Sequence, residues 1–530
     1  MGDEVSDGRQ YEGELRSVAK GGGLGMIGKV GQQTIAVVIG PVTARLLGAA
    51  GYGLLALGFG LIEMLDLFLS LGYPSAIVRY GAIYEGEGDR GKLRGLLAGT
   101  LVTAVALGLI LATVLWFNPR LVSSFYPQAE GLDQVLRIIA LAMPLKLVTA
   151  MLSPATIVMR TMAYRVLADL TIRPINLVSI LILCWALGMD ARGAALAMVI
   201  GALISLAIYA WGVGRLIGWP RPGDLKQYEG RKITAFALPM LLGQVSLFGL
   251  FRINNLIGGR WLSTDQVGQY QAASRIATFG VFGLNAIDAI IRPVLADMHH
   301  RGRLREMGEM FQTGTRWVWY MTLPVMLVAI FKARAAMAAF GPEFVQTAEP
   351  ADALRILCGS QIAQVSVGNA GSLLSMTGYQ WLTAGNNMLM AVLNIALCVV
   401  FTRRWGITGL SLASLVSVAG VNVLRGLQLW WAHRLSAFNR KAIKPVIAGA
   451  VTWPLLLIGF KAWPLDLFVP SLLFGLAYAG VVLKLGLEED DRVIVRAMMG
   501  RLTGLRRGRG KPAGPPGDRP ATGGPDSGIV

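Results

Sequence analysis

Apolar runs of about 20 residues, the length needed to cross the hydrocarbon core of a bilayer, recur from about Gly21 to about Leu485 with only short polar gaps between them. A chain built this way must satisfy its backbone polar groups inside each crossing segment, which predicts an all-α integral membrane protein. About fourteen spans are expected, near 21–46, 51–80, 94–117, 132–157, 168–187, 191–214, 233–257, 265–296, 309–331, 352–376, 381–402, 407–431, 445–460 and 466–486. The composition agrees: 54% of residues are hydrophobic and 15% charged, against roughly 25% charged in soluble domains. The 66 glycines suggest helices whose backbones approach closely.

Lysine and arginine crowd into every second gap. The intervening gaps hold Arg120, Arg260, Lys332, Arg334, Arg403, Arg404 and Lys461. By the excess of cations on the cytoplasmic side, an even number of spans places both termini inside. The net charge of +18 therefore lies in loops and tails and implies no nucleic-acid partner. The segment 1–20 is too polar for a secretory signal, so the first span is expected to remain as an anchor. Beyond Arg509 the chain is rich in proline and glycine, and 487–530 reads as a basic, largely disordered cytoplasmic tail.

Several patterns carry no chemistry. Gly23, Gly25 and Gly28 spell a dinucleotide fingerprint, and Gly23 to Lys29 nearly spells a phosphate loop. Val30 stands where Ser or Thr must hold magnesium, and no strand precedes the run. Cys184, Cys358 and Cys398 all lie in apolar runs without ligand spacing, so no disulfide, metal or cofactor is expected. No catalytic residue is assigned. A membrane-bound polysaccharide polymerase or acyltransferase would need a larger extramembrane loop or clustered acids.

Charged groups at depth carry the functional signal, because each must face protein or a water-filled cavity. The cations Lys29, Lys146, Arg252 and Arg275 form a candidate substrate-binding set, since an interior lined by Lys and Arg suits an anion such as a pyrophosphate. Glu63 and Asp66 lie three residues apart on one helical face. They are candidates for ion coupling, or alternatively they pair statically with interior cations such as Lys29 or Lys146. Gln33, Gln244, Asn255 and Asp288 are supporting polar residues, with Gln244, Arg252 and Asn255 expected on one face of a single helix.

Two stretches, Leu47 to Pro74 and Leu262 to Pro293, read as copies of one element roughly 217 to 219 residues apart. Repeats of this kind build transporters from two bundles around a central site. The expected organisation is an N-terminal six-helix bundle at 21–218, a pseudo-symmetric second one at 228–434, and two additional helices at 443–486.

The stretch Ala44 to Ala82 resembles the polysaccharide exporter and lipid-linked oligosaccharide flippase family of the multidrug, oligosaccharidyl-lipid and polysaccharide (MOP) exporter superfamily. Members show a glycine-tyrosine-glycine turn after the first span, then an apolar helix ending near SLGLxxAxxR. Gly51, Tyr52, Gly53, Ser70, Leu71, Gly72, Ala76 and Arg79 match, with Tyr73 in place of leucine. The resemblance implies flipping of an undecaprenyl-pyrophosphate-linked oligosaccharide from the cytoplasmic to the periplasmic leaflet of the bacterial inner membrane by ion-coupled alternating access. It also implies membrane lipid as surroundings and a polysaccharide polymerase and chain-length machinery as partners. A lipid II flippase and a multidrug antiporter of the same superfamily are the alternatives.

Overall fold

The structure, a computed structural model, describes residues 38–437, 443–462 and 468–485. Among the described residues every regular element is helical. The chain runs through α1 (Val38–Leu69), α2 (Tyr73–Gly86), α3 (Arg90–Phe117), α4 (Arg120–Ser123), α5 (Leu132–Ala140), α6 (Ala142–Val158), α7 (Ala163–Ile180) and α8 (Ala191–Leu216). A linker leads to α9 (Gly230–Phe251), α10 (Asn254–Gly258), α11 (Thr264–Ala277), α12 (Phe282–His300), α13 (Leu304–Phe331) and α14 (Ala333–Ala338). Then follow α15 (Glu349–Ser366), α16 (Ala370–Met376), α17 (Gln380–His433), α18 (Ile443–Ala462) and α19 (Phe468–Lys484).

Among the described residues seven helices are long and apolar enough to cross a membrane, and up to nine if each of two bent pairs is one span. Two of the seven contain a break where the sequence places a boundary. Gly48, at φ 69°, interrupts α1, and Trp405 and Gly406 leave helical geometry inside α17. Glycine is suited to such corners because it adopts positive φ without a Cβ penalty. Other expected spans are interrupted: Leu71 and Gly72 both take positive φ between α1 and α2, and α15 and α16 are separated near Gly368, at φ 54°.

Helix starts follow local chemistry. The Asp89 side chain accepts the Lys92 backbone N–H at 2.9 Å at the start of α3, and Asp190 accepts that of Arg192 at 2.9 Å at the start of α8. At α11 the Ser263 hydroxyl accepts the Gln266 N–H while the Gln266 side chain accepts the Ser263 N–H. Each satisfies donors that a helix end leaves orphaned.

Packing divides the molecule into regions. One buried apolar cluster, including Tyr73, Leu96, Met151 and Val213, fills the first half; another, including Ile287, Phe311, Leu373 and Leu429, fills the second. A third joins the halves at one end, bringing Ala49, Tyr52 and Leu136 together with Tyr270, Phe340 and Leu410. There the backbones touch. A methyl on Gly53 would overlap the Thr264 carbonyl oxygen, and one on Gly268 would overlap that of Ala49. The contact is reciprocal: Ala49 and Gly53 are four residues apart, as are Thr264 and Gly268, so each contact maps onto the other when the halves are exchanged, as a pseudo-two-fold axis requires.

The Gly51–Gly53 motif is thus helical rather than a turn. The turn lies at Gly48, and the motif's second glycine permits the crossing. Polar contacts reinforce it: Arg45 Nε donates to Ala339 O at 2.9 Å, Ala49 N–H to Glu343 Oε2 at 2.5 Å, and Arg260 to Phe125 O at 3.0 Å. α9 belongs to both halves: its Ile233 and Ala237 lie in the first-half cluster, while Gly249 packs on Ala391 of α17.

Candidate functional site: a polar cavity on the α1 stripe

Tyr52, Ala56, Phe59, Glu63 and Asp66 recur at spacings of four and three along α1, so they share one face. Its first part lines a cavity of about 330 Å³ closed by α7, α8 and α11. Two guanidinium groups reach it, Arg173 of α7 and Arg275 of α11, together with Asp169, Asn176 and Gln271. Three of the buried polar atoms without a hydrogen-bond partner, Thr43 Oγ1, Tyr52 OH and Asn176 Oδ1, belong to residues lining this one space. Buried polar groups are normally paired. Two guanidinium groups beside Asn176 and Gln271 make a lining suited to a hydroxyl-bearing anionic ligand. Asn176 is pressed close by α8, where Gly201 leaves room for its side-chain oxygen.

The second part of the stripe, about 16 Å along the helix from Tyr52 by the 1.5 Å rise per residue, carries the carboxylates. Glu63 accepts from Arg252 at 2.7 Å. The partner is an interior cation other than Lys146 and comes from the second half, 189 positions on. Lys146, on α6, acts instead on Asp66, which also feels Glu63. The four groups form one mixed-charge cluster. The Arg252 and Glu63 side chains are 62% and 41% exposed, so the pair is not sealed within protein.

The remaining candidates separate. Gln244, Arg252 and Asn255 do not share one helix, because α9 ends at Phe251 and Arg252 caps it with φ −127°. Asn255 lies beyond the break on α10 and donates to Gln271 at the cavity edge. Half-buried Gln244 stays on α9. Asp288 is removed from the cavity, bonded to Arg292, which also donates to Ser372 at 3.0 Å. Lys29 and Gln33 lie outside the described residues. Of the expected cations among the described residues, only Arg275 lines the cavity. Arg173 and Asp169 were not anticipated, although opposite charges four residues apart within an apolar run were a readable signal. Among the described residues no cluster of His, Cys, Asp or Glu could hold a metal.

Residues 42–347 match the polysaccharide biosynthesis protein family. The chain belongs to that family. Among its curated relatives, a probable low-salt glycan biosynthesis flippase of Haloferax volcanii is 22% identical over 255 residues, 47% of this chain and 50% of that protein. The succinoglycan biosynthesis transport protein of Rhizobium meliloti is 24% identical over 336 residues, 59% of this chain and 62% of that one. The chain therefore spans between half and two thirds of the length of these relatives. In fold it is similar to the lipid II flippase MurJ in an inward closed conformation, with a TM-score of 0.67, 13% identity, and coverage of 86% of this chain and 97% of that one. It is likewise similar to an inward-facing MATE family transporter of the MOP superfamily, with a TM-score of 0.61, 15% identity, and coverage of 76% and 94%. At such identities the likeness is one of fold. This family member is a multi-pass helical protein whose fold is similar to theirs.

Proposed function

We propose that this chain is a secondary-type transporter that flips a lipid-linked oligosaccharide across the bacterial inner membrane. The supporting observation is the cavity between the halves, which Arg173 and Arg275 line together with Asn176 and Gln271. Arginine holds phosphate oxygens through several N–H groups at once, and Asn176 and Gln271 offer hydrogen bonds to sugar hydroxyls. An undecaprenyl pyrophosphate carries the first chemistry and its glycan the second. The lipid tail stays in the bilayer beside the bundles.

In this reading the chain has fourteen spans, arranged as six-helix bundles at 21–218 and 228–434 with two further helices at 443–486, and both termini lie in the cytoplasm. The Gly53–Gly268 end is then periplasmic and closed, and the cavity loads from the cytoplasmic side. Lys29, Lys146 and Arg252 extend the cationic path beyond Arg275. The cluster of Glu63, Asp66, Lys146 and Arg252 couples the cycle to an ion: loading a carboxylate with a proton or sodium ion would release Arg252 or Lys146 toward the substrate.

The test is depletion in the native cell, with mass spectrometry of lipid-linked oligosaccharides and an impermeant label to report their leaflet. Accumulation on the cytoplasmic leaflet is the expected result. Unchanged lipid-linked pools combined with altered drug tolerance would overturn the reading in favour of multidrug export.

A further inference from the structure

The break between α9 and α10 can be traced to the hydrogen bonds around it. In a continuous helix the Gly249 carbonyl would accept the N–H of Ile253, four residues on. Here that N–H turns to Phe248 O at 3.1 Å, which also takes the Arg252 N–H at 2.8 Å. Gly249 O thus loses its helical donor. Asn394 of α17 supplies another, donating through Nδ2 at 2.9 Å. The bare Gly249 lets α17 come this close: a Cβ there would stand 3.1 Å from that of Ala391, one turn before Asn394.

That single carbonyl orients a network. The amide group of Asn394 also donates to Asn254 Oδ1 at 2.8 Å. Asn254 must then present its own Nδ2 the other way, where it donates to Tyr270 OH at 3.1 Å and to Ser414 Oγ. Tyr270 and Ser414 lie 3.2 Å apart, and Ser414 donates onward to Leu410 O at 3.3 Å. All four side chains are buried. A buried polar network whose members are all satisfied specifies one geometry.

We propose that Asn394 and Asn254 are positioning residues, which pin the start of α10 to α11 and α17 and so set the direction in which Arg252 leaves the chain. The residues on either side of the pinned turn face outward from this half. Arg252 donates to Glu63 of the first half at 2.7 Å, and Asn255 donates to Gln271 at the cavity edge. Glu63 is the one hydrogen-bond partner of Arg252 among the described residues, so the backbone decides which way its side chain points. This positioning matters through the transport role given above to Arg252, yet it can be read without transport.

For the test, Glu63→Cys and Arg252→Cys are combined in the purified full-length protein in detergent and joined by a short bifunctional thiol reagent. With the ion pair gone, the rate reports only where the backbone holds the two positions. Adding Asn394→Leu should slow the reaction roughly tenfold, as the effective concentration of one thiol at the other falls. An Arg45→Cys, Ala339→Cys pair at the closed end should react as before. Because the single leucine leaves Asn254 without its donor, Asn254→Leu is also combined with Asn394→Leu; removing both partners costs less than removing one, so this variant should fold and still react slowly. An unchanged rate between the Glu63 and Arg252 positions would overturn the proposal and leave the network a purely stabilising part. Equal slowing at the Arg45 and Ala339 positions would overturn it too, as general loosening. Slow cross-linking beside wild-type ion dependence of flipping in sealed vesicles would uphold the positioning and overturn the coupling role of Arg252.

Discussion

At the scale of single residues, magnitude separates stability from transport. The Glu63–Arg252 pair is more than a third exposed on both sides, and exposed pairs contribute about 0 to 1 kcal/mol. Glu63→Gln and Arg252→Gln should therefore unfold within about 1 kcal/mol of wild type, yet change the ion dependence of flipping measured in sealed vesicles. Arg173→Glu and Arg275→Glu should each abolish flipping at unchanged expression, and wild-type flux from either would remove the electrostatic basis of the cavity. Asp89 gives a pH signature. Its carboxylate is held below the ordinary value chiefly by the Lys92 backbone N–H. A depressed carboxylate stabilises above its unfolded pKa of about 3.9, and that contribution is lost as pH falls through the folded value. Hydrogen exchange over residues 90–94, corrected for intrinsic rate, should rise below about pH 4 in wild type and be high throughout in Asp89→Ala. Sequence singled out Glu63, Asp66 and Arg252 as charges at depth. It could not reveal that Glu63 meets Arg252, because that pairing is set by how two helices far apart in the chain cross. Arg173 and Asp169 were readable in principle, as an i,i+4 pair in an apolar run.

At the scale of elements, glycine and helix caps made much of the fold legible. Gly48 and Gly406 break helices where apolar runs were divided, and the linker between the halves falls in a stretch rich in Pro, Gly and charge. The α15 and α16 region was harder to read, because helices facing the interior carry Gln361, Gln364 and Asn369, and their moderate hydropathy hides a broken span. Periodicity also extended one helix through Arg252, where the backbone departs from helical geometry. The glycine motif has a sharper role than its place in a pattern suggested: Gly53 and Gly268 allow α1 and α11 to touch. Gly53→Ala or Gly268→Ala should lower stability by about 1 to 3 kcal/mol through overpacking, read from thermal unfolding. A double variant costing less than the sum of the singles would show the two methyls prying apart the same crossing.

At the scale of the whole molecule, alternating access requires the closed end to open. Gln269 Nε2 donates to Glu343 O at 3.2 Å there, and Glu343 in turn caps Ala49 of the first half. Cysteines at Arg45 and Ala339, partners across the halves, joined by a short bifunctional thiol reagent, should stop flipping, and cleavage of the linker should restore it. Continued flux in the cross-linked state would exclude opening at this end. The native Cys184, Cys358 and Cys398 are buried and should not compete for reagent.

That end is held by guanidinium-to-carbonyl bonds, a carboxylate-capped N–H and two bare glycine contacts; among the described residues no ion pair joins the halves there. Surface ion pairs weaken as salt rises, whereas short dipolar bonds and packed backbones are nearly indifferent to it. A seal of this kind keeps the same strength in fresh water and in brine, so the barrier to leakage would not vary with the medium the cell happens to inhabit.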